Sequence, residues 1–355
     1  MSPIREIIRK KSFMKHNQDG LEALLKVYGP AIVLPLLFFF MSIIWGRYMI
    51  SPSLVLKMVA GKLLGWADAW PATLETVLFK IRIPRVAAAM LIGGGLSVSG
   101  ASFQGLFRNP LVSPFILGVA SGAGFGAALA ILVSGNALVV QISAFLFGAL
   151  AVFISYGLTR LYRTSSVLVM VLSGVIVGTF FSALISLIKY VADPYDKLPV
   201  IVFWLMGSLA VMTSHDFLVL AFPICLGFCV LFFIRWKINV LAMGEEEAKS
   251  LGLGTARLRL LIVLCATLIT AAAVSVSGII GWVGLVIPHL TRMIVGPDYR
   301  KVVPVSFSLG ACYLVLVDDI ARNLTSVEIP LGILTATIGA PFFALLLRKG
   351  SLGWS

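Results

Sequence analysis

A chain of 355 residues that is 59% hydrophobic and only 12% charged does not have the composition of a soluble globular protein, whose surface carries charge throughout. Its mean hydropathy of +1.03 instead predicts an all-α polytopic membrane protein, because backbone groups in hydrocarbon must be hydrogen-bonded within a helix. The formal net charge of +13 then needs an explanation from membrane topology or from an anionic partner.

Ten apolar windows follow one another along the chain, each close to the roughly 20 residues that a helix needs to cross a bilayer. They cover residues 27–46, 86–106, 114–133, 138–158, 167–189, 217–235, 259–277, 279–294, 302–317 and 330–347. The eighth window is short and contains Pro288, so its boundaries are soft. A further apolar run from Leu198 to Met212 is too short to cross, and we expect it to be a re-entrant or surface helix.

The basic residues predict the orientation of these spans. Most of the 28 Lys and Arg residues lie on inner segments if both termini are cytoplasmic, which is the arrangement that the positive-inside rule favours. The net charge therefore reflects topology, and no nucleic-acid partner is needed. We expect a cytoplasmic segment at 1–26, a transmembrane domain at 27–349 with a cytoplasmic loop at 236–258, and a cytoplasmic tail at 350–355. The first span is interpreted as uncleaved, since no small-residue cleavage pattern follows it.

The longest polar segment past the middle of the chain reads MGEEEAKSLGLGTARLR, residues 243–259. Three glutamates suit the start of a helix, Lys249 lies four residues after Glu245, and Gly252 and Gly254 provide a stop before Thr255. The pattern predicts two short helices on the cytoplasmic face. An ordinary solvated loop helix is an equally good interpretation of the residues alone.

Charged residues are missing from long stretches of the predicted spans, including 109–159 and 260–291. Ion-coupled carriers place costly charges at membrane depth, so this pattern disfavours a secondary transporter, although that class stays the main alternative. No phosphate-binding loop of the G-x-x-x-x-G-K-[ST] type occurs, so energy for uphill transport would come from another polypeptide. His289 is interpreted as a hydrogen-bonded histidine beside a proline kink.

Small residues recur within the spans. Gly118, Gly122 and Gly126 lie four residues apart, which predicts close helix packing rather than a phosphate loop. The glycines at 93–95 and Gly100 serve the same purpose or leave room for a bulky substrate. All four cysteines fall within spans and are predicted to be free, although two of them, four residues apart, would also suit a metal: Cys225, Cys229, Cys265 and Cys312.

Longer motifs carry a resemblance to a known family. The polar segment contains Glu247-Ala248-x-x-x-Gly252, which is similar to the coupling loop of ABC importer permeases, except that Lys249 replaces the second alanine. The chain around it resembles the FecCD or BtuC-like permeases for iron-siderophore, haem and cobalamin. The motifs are IRIPRVAAAMLIGGGLSVSGASFQGLFRNPLVSPFILGVASGAGFG at 81–126, GWVGLVIPHLTRMIVGPDYRKVVPVSFSLGA at 281–311, and DDIAR followed by EIPLGILTATIGAPFFALLLRK at 318–349.

The resemblance implies a type II ABC importer permease fold with about ten transmembrane helices in a prokaryotic cytoplasmic membrane. It implies a homodimer of permeases, two ABC ATPase subunits below, and a periplasmic or lipid-anchored substrate-binding protein above. The chain itself would bind no cofactor and would not be an enzyme, since ATP and Mg would be used by the ATPase. A ferric siderophore is the first choice of cargo, with cobalamin and haem as alternatives.

The resemblance also assigns residues to three sites. The ATPase coupling residues would be Glu245, Glu246, Glu247, Ala248, Leu251 and Gly252. The cytoplasmic gate would include Asn109, Leu111, Thr164 and Ser165. Arg82, Arg85 and Arg322 would dock the binding protein, and Asp318 and Asp319 would orient Arg322 or pair with it. From the residues alone, these three outer arginines are equally explained as anchors at the membrane surface.

Overall fold

The computed structural model describes residues 28–65, 70–161 and 167–348, with side chains described up to residue 345. Helix makes up 82% of the structure, and no strand occurs over these ranges. The predicted terminal segments 1–26 and 350–355 lie outside the described residues, as do Thr164 and Ser165 of the predicted gate. The all-α prediction is confirmed.

The helices follow one another with short connections. Their bounds are α1 Tyr28–Ile44, α2 Pro52–Leu64, α3 Ala72–Glu75, α4 Ile83–Phe107, α5 Val119–Val133, α6 Ala137–Leu161, α7 Val167–Val191, α8 Lys197–Met206, α9 Ser214–Met243, α10 Glu245–Ser250, α11 Thr255–Ser277, α12 Val283–Val295, α13 Tyr299–Asn323 and α14 Leu331–Arg348. A π-helical stretch, Thr76–Arg82, joins α3 to α4. Local sequence sets several ends: α9, for example, begins at a capping box between Thr213 and Asp216.

Six helical segments are long and apolar enough to cross a membrane: Ala72–Phe107, α6, α7, α9, α11 and α13. The other four predicted spans also contain helices, but α1, α5, α12 and the apolar part of α14 are shorter. The number of ten crossings therefore stays a prediction. The first part of the run at 198–212 forms the short helix α8, and its re-entrant or surface position stays a prediction.

The interior of the bundle is organised around α4, which is the most buried of the six spans. A Cβ at Gly93 would collide with the backbone of Gly310 in α13, and one at Gly100 would collide with Gly284 in α12. Such glycines allow helices to pack closely in lipid, where hydrophobicity does not drive association. At these two positions the glycines serve packing, which was the first of the two interpretations offered by the sequence.

The predicted packing role of Gly122 and Gly126 is confirmed as well. A Cβ at Gly122 would meet the backbone of Phe147, and one at Gly126 would meet that of Ser143, both in α6. Gly118 precedes α5 with a φ of +84°, and a Cβ there would lie 3.2 Å from the backbone nitrogen of Gly178 in α7, so both conformation and close packing favour glycine.

Two ends of the bundle can be distinguished. At one end, which we call the α10 face, the C-termini of α4, α9 and α12 meet the N-termini of α7 and α13 around one cavity. At the other end, the far face, the start of α4 lies beside the end of α13, where Arg85 contacts Asp318. The first helix joins both ends, since Tyr28 donates to the Arg300 carbonyl and Ser42 donates to Asp319. Residues that are distant in sequence thus meet at each face.

Candidate functional site

The polar segment at the α10 face forms one short helix. Because α9 extends to Met243 and α11 begins at Thr255, the predicted loop 236–258 shrinks to residues 244–254, with α10 inside it. The expectation of two short helices is wrong, because Thr255 starts the first turn of the long helix α11. The three glutamates fill the first turn of α10, where the helix dipole favours negative charge.

Gly252 ends α10 in a left-handed conformation, as its position in the sequence suggests. Its φ is +78°, its N–H donates to the carbonyl of Lys249, and the N–H of Leu253 donates to that of Ala248. This pair of bonds defines a Schellman motif, for which glycine is the preferred residue. The end of α10 is therefore encoded locally.

Glu245 fastens α10 to the next helix rather than facing outwards. Its carboxylate lies 3.0 Å from the guanidinium of Arg259 in α11 and 3.3 Å from the Lys249 ammonium, as the i, i+4 spacing predicted. Partial burial raises the pKa of Glu245, but the hydrogen bond from Lys249 and the charge of Arg259 outweigh this and hold the pKa below its usual value. Glu245 thus holds α10 against α11.

The six predicted coupling residues consequently divide into two groups. Ala248 is fully buried and Glu245 is partly buried, so both position α10. The exposed members of the set are Glu246, Glu247, Leu251 and Gly252. Leu251 is apolar, yet 61% of its surface is exposed. Only this second group is available to contact another protein.

A cavity of about 1,430 Å³ opens at the same face. Its lining includes Asn109, one of the predicted gate residues, together with Asn239, Asp298 and Arg300. The Asn109 side chain accepts a hydrogen bond from the Leu111 amide at 2.9 Å, so the pair forms a local turn, and Leu111 itself is 47% exposed. The gate role of these residues stays a prediction.

Polar contacts fix one wall of this cavity. Asn239 in α9 donates to Asp298 and accepts from the backbone N–H of Tyr299 at 2.7 Å. Burial raises the pKa of Asp298, but hydrogen bonds from Arg300 and Asn239 lower it by more. The net result is a pKa below the usual value. The start of α13 is thereby tied to the end of α9.

At the far face, Arg85 forms a buried ion-pair network. Its guanidinium lies 2.8 Å from Asp318 in α13 and 2.8 Å from Glu328 in the following loop, with Arg85 and Asp318 almost fully buried. A charge pair is stable in such a place only if its hydrogen bonds are satisfied, and Arg85 uses all three of its side-chain nitrogens. The network joins α4 to α13.

The other two outer arginines also bind groups of this chain, although Nε of Arg322 has no hydrogen-bond partner within the described residues. Arg82 donates to the backbone carbonyls of Ile43 and Ile44 at the end of α1 and of Tyr48 just beyond it. Arg322 pairs with Asp319 and donates to Ser42. Together they attach α1 to the core of the bundle.

These contacts bear on the docking prediction, although the docking role itself stays a prediction. Arg82, Arg85 and Arg322 are 4%, 5% and 7% exposed, so they do not form an exposed basic patch on this chain. The physical reason is that this chain's own carboxylates and carbonyls bind them. Of the two aspartates, Asp319 pairs with Arg322 as expected, but Asp318 pairs with Arg85.

Sequence reasoning missed three features. Glu328 and Ser42 complete the far-face network. Glu328 could have been noticed as the single acidic residue between 320 and 355, but nothing in the sequence around Ser42 indicates its role. The interpretation of His289 as hydrogen-bonded is wrong: within the described residues, neither ring nitrogen has a partner. Its ring instead packs edge-on against Phe343, with centroids 6.1 Å apart.

Known proteins resemble this chain over most of its length. The profile of the FecCD transport family matches residues 34–349. The molybdate import system permease protein MolB of Haemophilus influenzae is 41% identical over 86% of this chain and 90% of its own. A protein of Helicobacter pylori named as a probable iron chelatin transport system permease is 43% identical over 78% of this chain and 84% of its own. A solved inward-facing ABC transporter, described as a candidate metal-chelate type, aligns at TM-score 0.82 with 39% identity. The alignment covers 91% of this chain and 99% of the transporter chain.

The family match over residues 34–349, the similar permeases and the six helices able to cross a bilayer together define a membrane permease of a prokaryotic ABC importer. The chain belongs to the FecCD transport family, and it is a permease subunit of a type II ABC importer.

Proposed function

We propose that this permease carries a metal chelate into the cytoplasm, with a ferric siderophore as the first candidate. The relative named for iron chelatin and the neighbour described as a candidate metal-chelate transporter support this class of cargo. Cobalamin and haem are the alternatives within the same machinery. The relative named for molybdate adds an oxyanion, which the sequence hypothesis did not include.

The proposed assembly contains two copies of the permease, two ABC ATPase subunits at the α10 face, and a substrate-binding protein at the far face. The observation that carries the ATPase contact is the exposure of Leu251 at the end of a braced helix. Burying a leucine side chain contributes about 1.5–3 kcal/mol, so an apolar pocket on a partner would be stabilised by it. Glu246 and Glu247 would supply charge complementarity beside it.

In the proposed mechanism, ATP binding and hydrolysis in the partner move α10, and α10 moves the membrane helices. The link to α11 is stiff, because the Glu245–Arg259 pair spans the turn between the helices. Further along α11, Ile269 packs where Gly95 of α4 leaves room, which gives the motion a path into the core. The cavity beside Asn109 would then open to the cytoplasm in one of two states.

Ion-coupled transport is the competing class. Its requirement is a titratable group at membrane depth that can exchange an ion during the cycle. The buried carboxylates Asp318 and Asp319 are each bound by an arginine at the far face, which leaves them poorly suited to that task. This observation favours the ATP-driven proposal.

The decisive experiment measures uptake in proteoliposomes that contain the permease, its ATPase and its binding protein. Uptake is expected to persist when proton and sodium gradients are collapsed, and to stop without ATP or with an ATPase whose phosphate-loop lysine is replaced. Gradient-driven uptake by the permease alone would overturn the proposal. Loading the binding protein in turn with a ferric siderophore, haem, cobalamin or molybdate would identify the cargo.

A further inference from the structure

A groove runs along the outside of the bundle between α6 and α11. Its volume is about 500 Å³, within the range of roughly 300–1,000 Å³ that small-molecule pockets occupy. Its rims include Phe153 and Leu264, which are 76% and 56% exposed, so the groove opens sideways. Both helices are long enough to cross the membrane, and we take this apolar, sideways-open groove to face the hydrocarbon.

The two helices are antiparallel along the groove, since α6 ends and α11 begins at the α10 face. The lining is apolar over most of its length, which suits an acyl chain. Two polar groups interrupt it, at different depths: Arg160 at the α10 face and Thr267 within the hydrocarbon layer.

Arg160 lies in the last turn of α6, and its guanidinium rests 5.2 Å from the centre of the Tyr156 ring. None of the residues that line the groove is acidic, and Arg160 has no carboxylate partner within the described residues. The aromatic contact orients the guanidinium but leaves its N–H groups available. An oxyanion at the membrane surface is the ligand that such a group prefers.

Thr267 provides the second, independent observation. The residue is 93% buried, since 7% of its surface is exposed, and among the described residues its hydroxyl has no hydrogen-bond partner. Thr270, one turn away, satisfies its own hydroxyl by donating to the Ala266 carbonyl. A buried hydroxyl without a partner costs about 1–3 kcal/mol, which a ligand oxygen in the groove would offset.

The order of these groups along the groove follows that of a phospholipid. Leu260 lines the groove near its α10-face end, and Thr267 follows seven residues later, about 10 Å deeper at 1.5 Å per residue. In a glycerophospholipid, the phosphate lies at the surface and the ester carbonyls lie below it, followed by the acyl chains. Arg160, Thr267 and the apolar lining follow the same order.

We propose that this groove is a binding site for one anionic glycerophospholipid. The phosphate accepts hydrogen bonds from Arg160, an ester carbonyl accepts one from the Thr267 hydroxyl, and an acyl chain fills the apolar part beside Ala149. The predicted cytoplasmic orientation of the α10 face supports the anionic head group, because basic pockets between helices on that side bind anionic lipids. The site does not depend on the cargo or on ATP-driven transport.

The test is native mass spectrometry of the purified full-length chain in detergent, titrated with phosphatidylglycerol or phosphatidylcholine. Wild-type protein is expected to bind one phosphatidylglycerol more tightly than phosphatidylcholine. Arg160→Gln should weaken phosphatidylglycerol by about fivefold, since one basic residue near the surface contributes about 1 kcal/mol, and should weaken phosphatidylcholine less, because its choline ammonium offsets the phosphate charge. Thr267→Val should weaken both lipids, because both carry the ester carbonyl.

Two controls keep the result interpretable. Arg257→Gln removes an exposed arginine at the same face but outside the groove, and it should leave the affinity unchanged. Ala149→Phe fills the groove without a change of charge and should abolish the tightly bound lipid in a protein of unchanged helix content. Equal losses in Arg160→Gln and Arg257→Gln, or unchanged binding in Ala149→Phe, would overturn the site in favour of general attraction to the surface.

Discussion

The carboxylate of Glu245 in α10 lies 3.0 Å from the guanidinium of Arg259 in α11, and this pair holds the short helix against a membrane-spanning one. Both side chains are partly shielded from water, so the pair is stronger than an exposed one. The helix that we propose to contact the ATPase is therefore attached to the bundle at a defined angle.

Glu245→Gln should loosen this attachment without unfolding the bundle. Loss of about 1 kcal/mol would make the amide groups of α10 exchange hydrogen roughly fivefold faster, which hydrogen–deuterium exchange would measure. Lys249→Gln is the matched control, since Lys249 contacts the same carboxylate but is 54% exposed. An equal acceleration in both variants would contradict a special role for the pair with Arg259.

Gly252→Val should disturb the end of α10 and weaken ATPase association. The left-handed φ of +78° costs a β-branched residue roughly 1–2 kcal/mol, whereas a Cβ there meets no neighbour within 4 Å. Gly254→Val is the control, because Gly254 also has open space around it but has a φ of −73°. Co-purification of the ATPase should fall for the first variant only; an equal result for the two would exclude the conformational explanation.

Leu251→Ser should weaken binding of the ATPase while leaving the thermal stability of the permease unchanged. The side chain is 61% exposed, so its loss removes little from the fold but removes an apolar contact from an interface. Leu324→Ser, at 65% exposure on the far face, is the matched control. The coupling assignment is contradicted if both variants retain the ATPase with wild-type affinity in a binding assay.

Arg85→Gln should lower the free energy of unfolding by about 3–5 kcal/mol, because it leaves the buried carboxylate of Asp318 without its charge partner. Unfolding in detergent, followed by circular dichroism, measures this change. Lys57→Gln, at an exposed position, should have no effect.

Replacing Arg82 and Arg85 with Glu should reduce folded yield, because it also leaves buried charges without partners. A folded charge-reversed permease that had lost only the binding protein would support the docking prediction.

Glu328 should make stability depend on pH in the acid range. Burial raises the pKa of its carboxyl, but the hydrogen bond and charge of Arg85 outweigh this and lower the pKa below its usual value of about 4.3. A carboxyl whose pKa is depressed in the folded state stabilises the fold above its unfolded pKa, and the contribution is lost as pH falls through the folded pKa. The wild type should therefore lose more stability than Glu328→Gln between neutral pH and about pH 3. Parallel stability curves for the two proteins would contradict this.

The sequence by itself determined the class of this protein and the approximate positions of its long apolar helices, but it did not predict α2. Hydrophobic windows report helices directly, because in hydrocarbon the backbone can satisfy its hydrogen bonds only within a helix. The end of α10 at Gly252 and the pairing of Glu245 with Lys249 also depend on residues within one or two helical turns, so local rules predicted them.

The tertiary structure alone decided which polar groups meet. Arg85 and Asp318 are 233 positions apart, and Arg322 reaches Ser42 across 280, so no local pattern could show that the outer arginines are buried and paired. Likewise, the family resemblance predicted six coupling residues but could not separate Ala248 and Glu245, which position α10, from Leu251, which is exposed. Burial and partnership depend on how helices from distant parts of the chain pack, and the sequence encodes that packing only through the sum of many weak contacts.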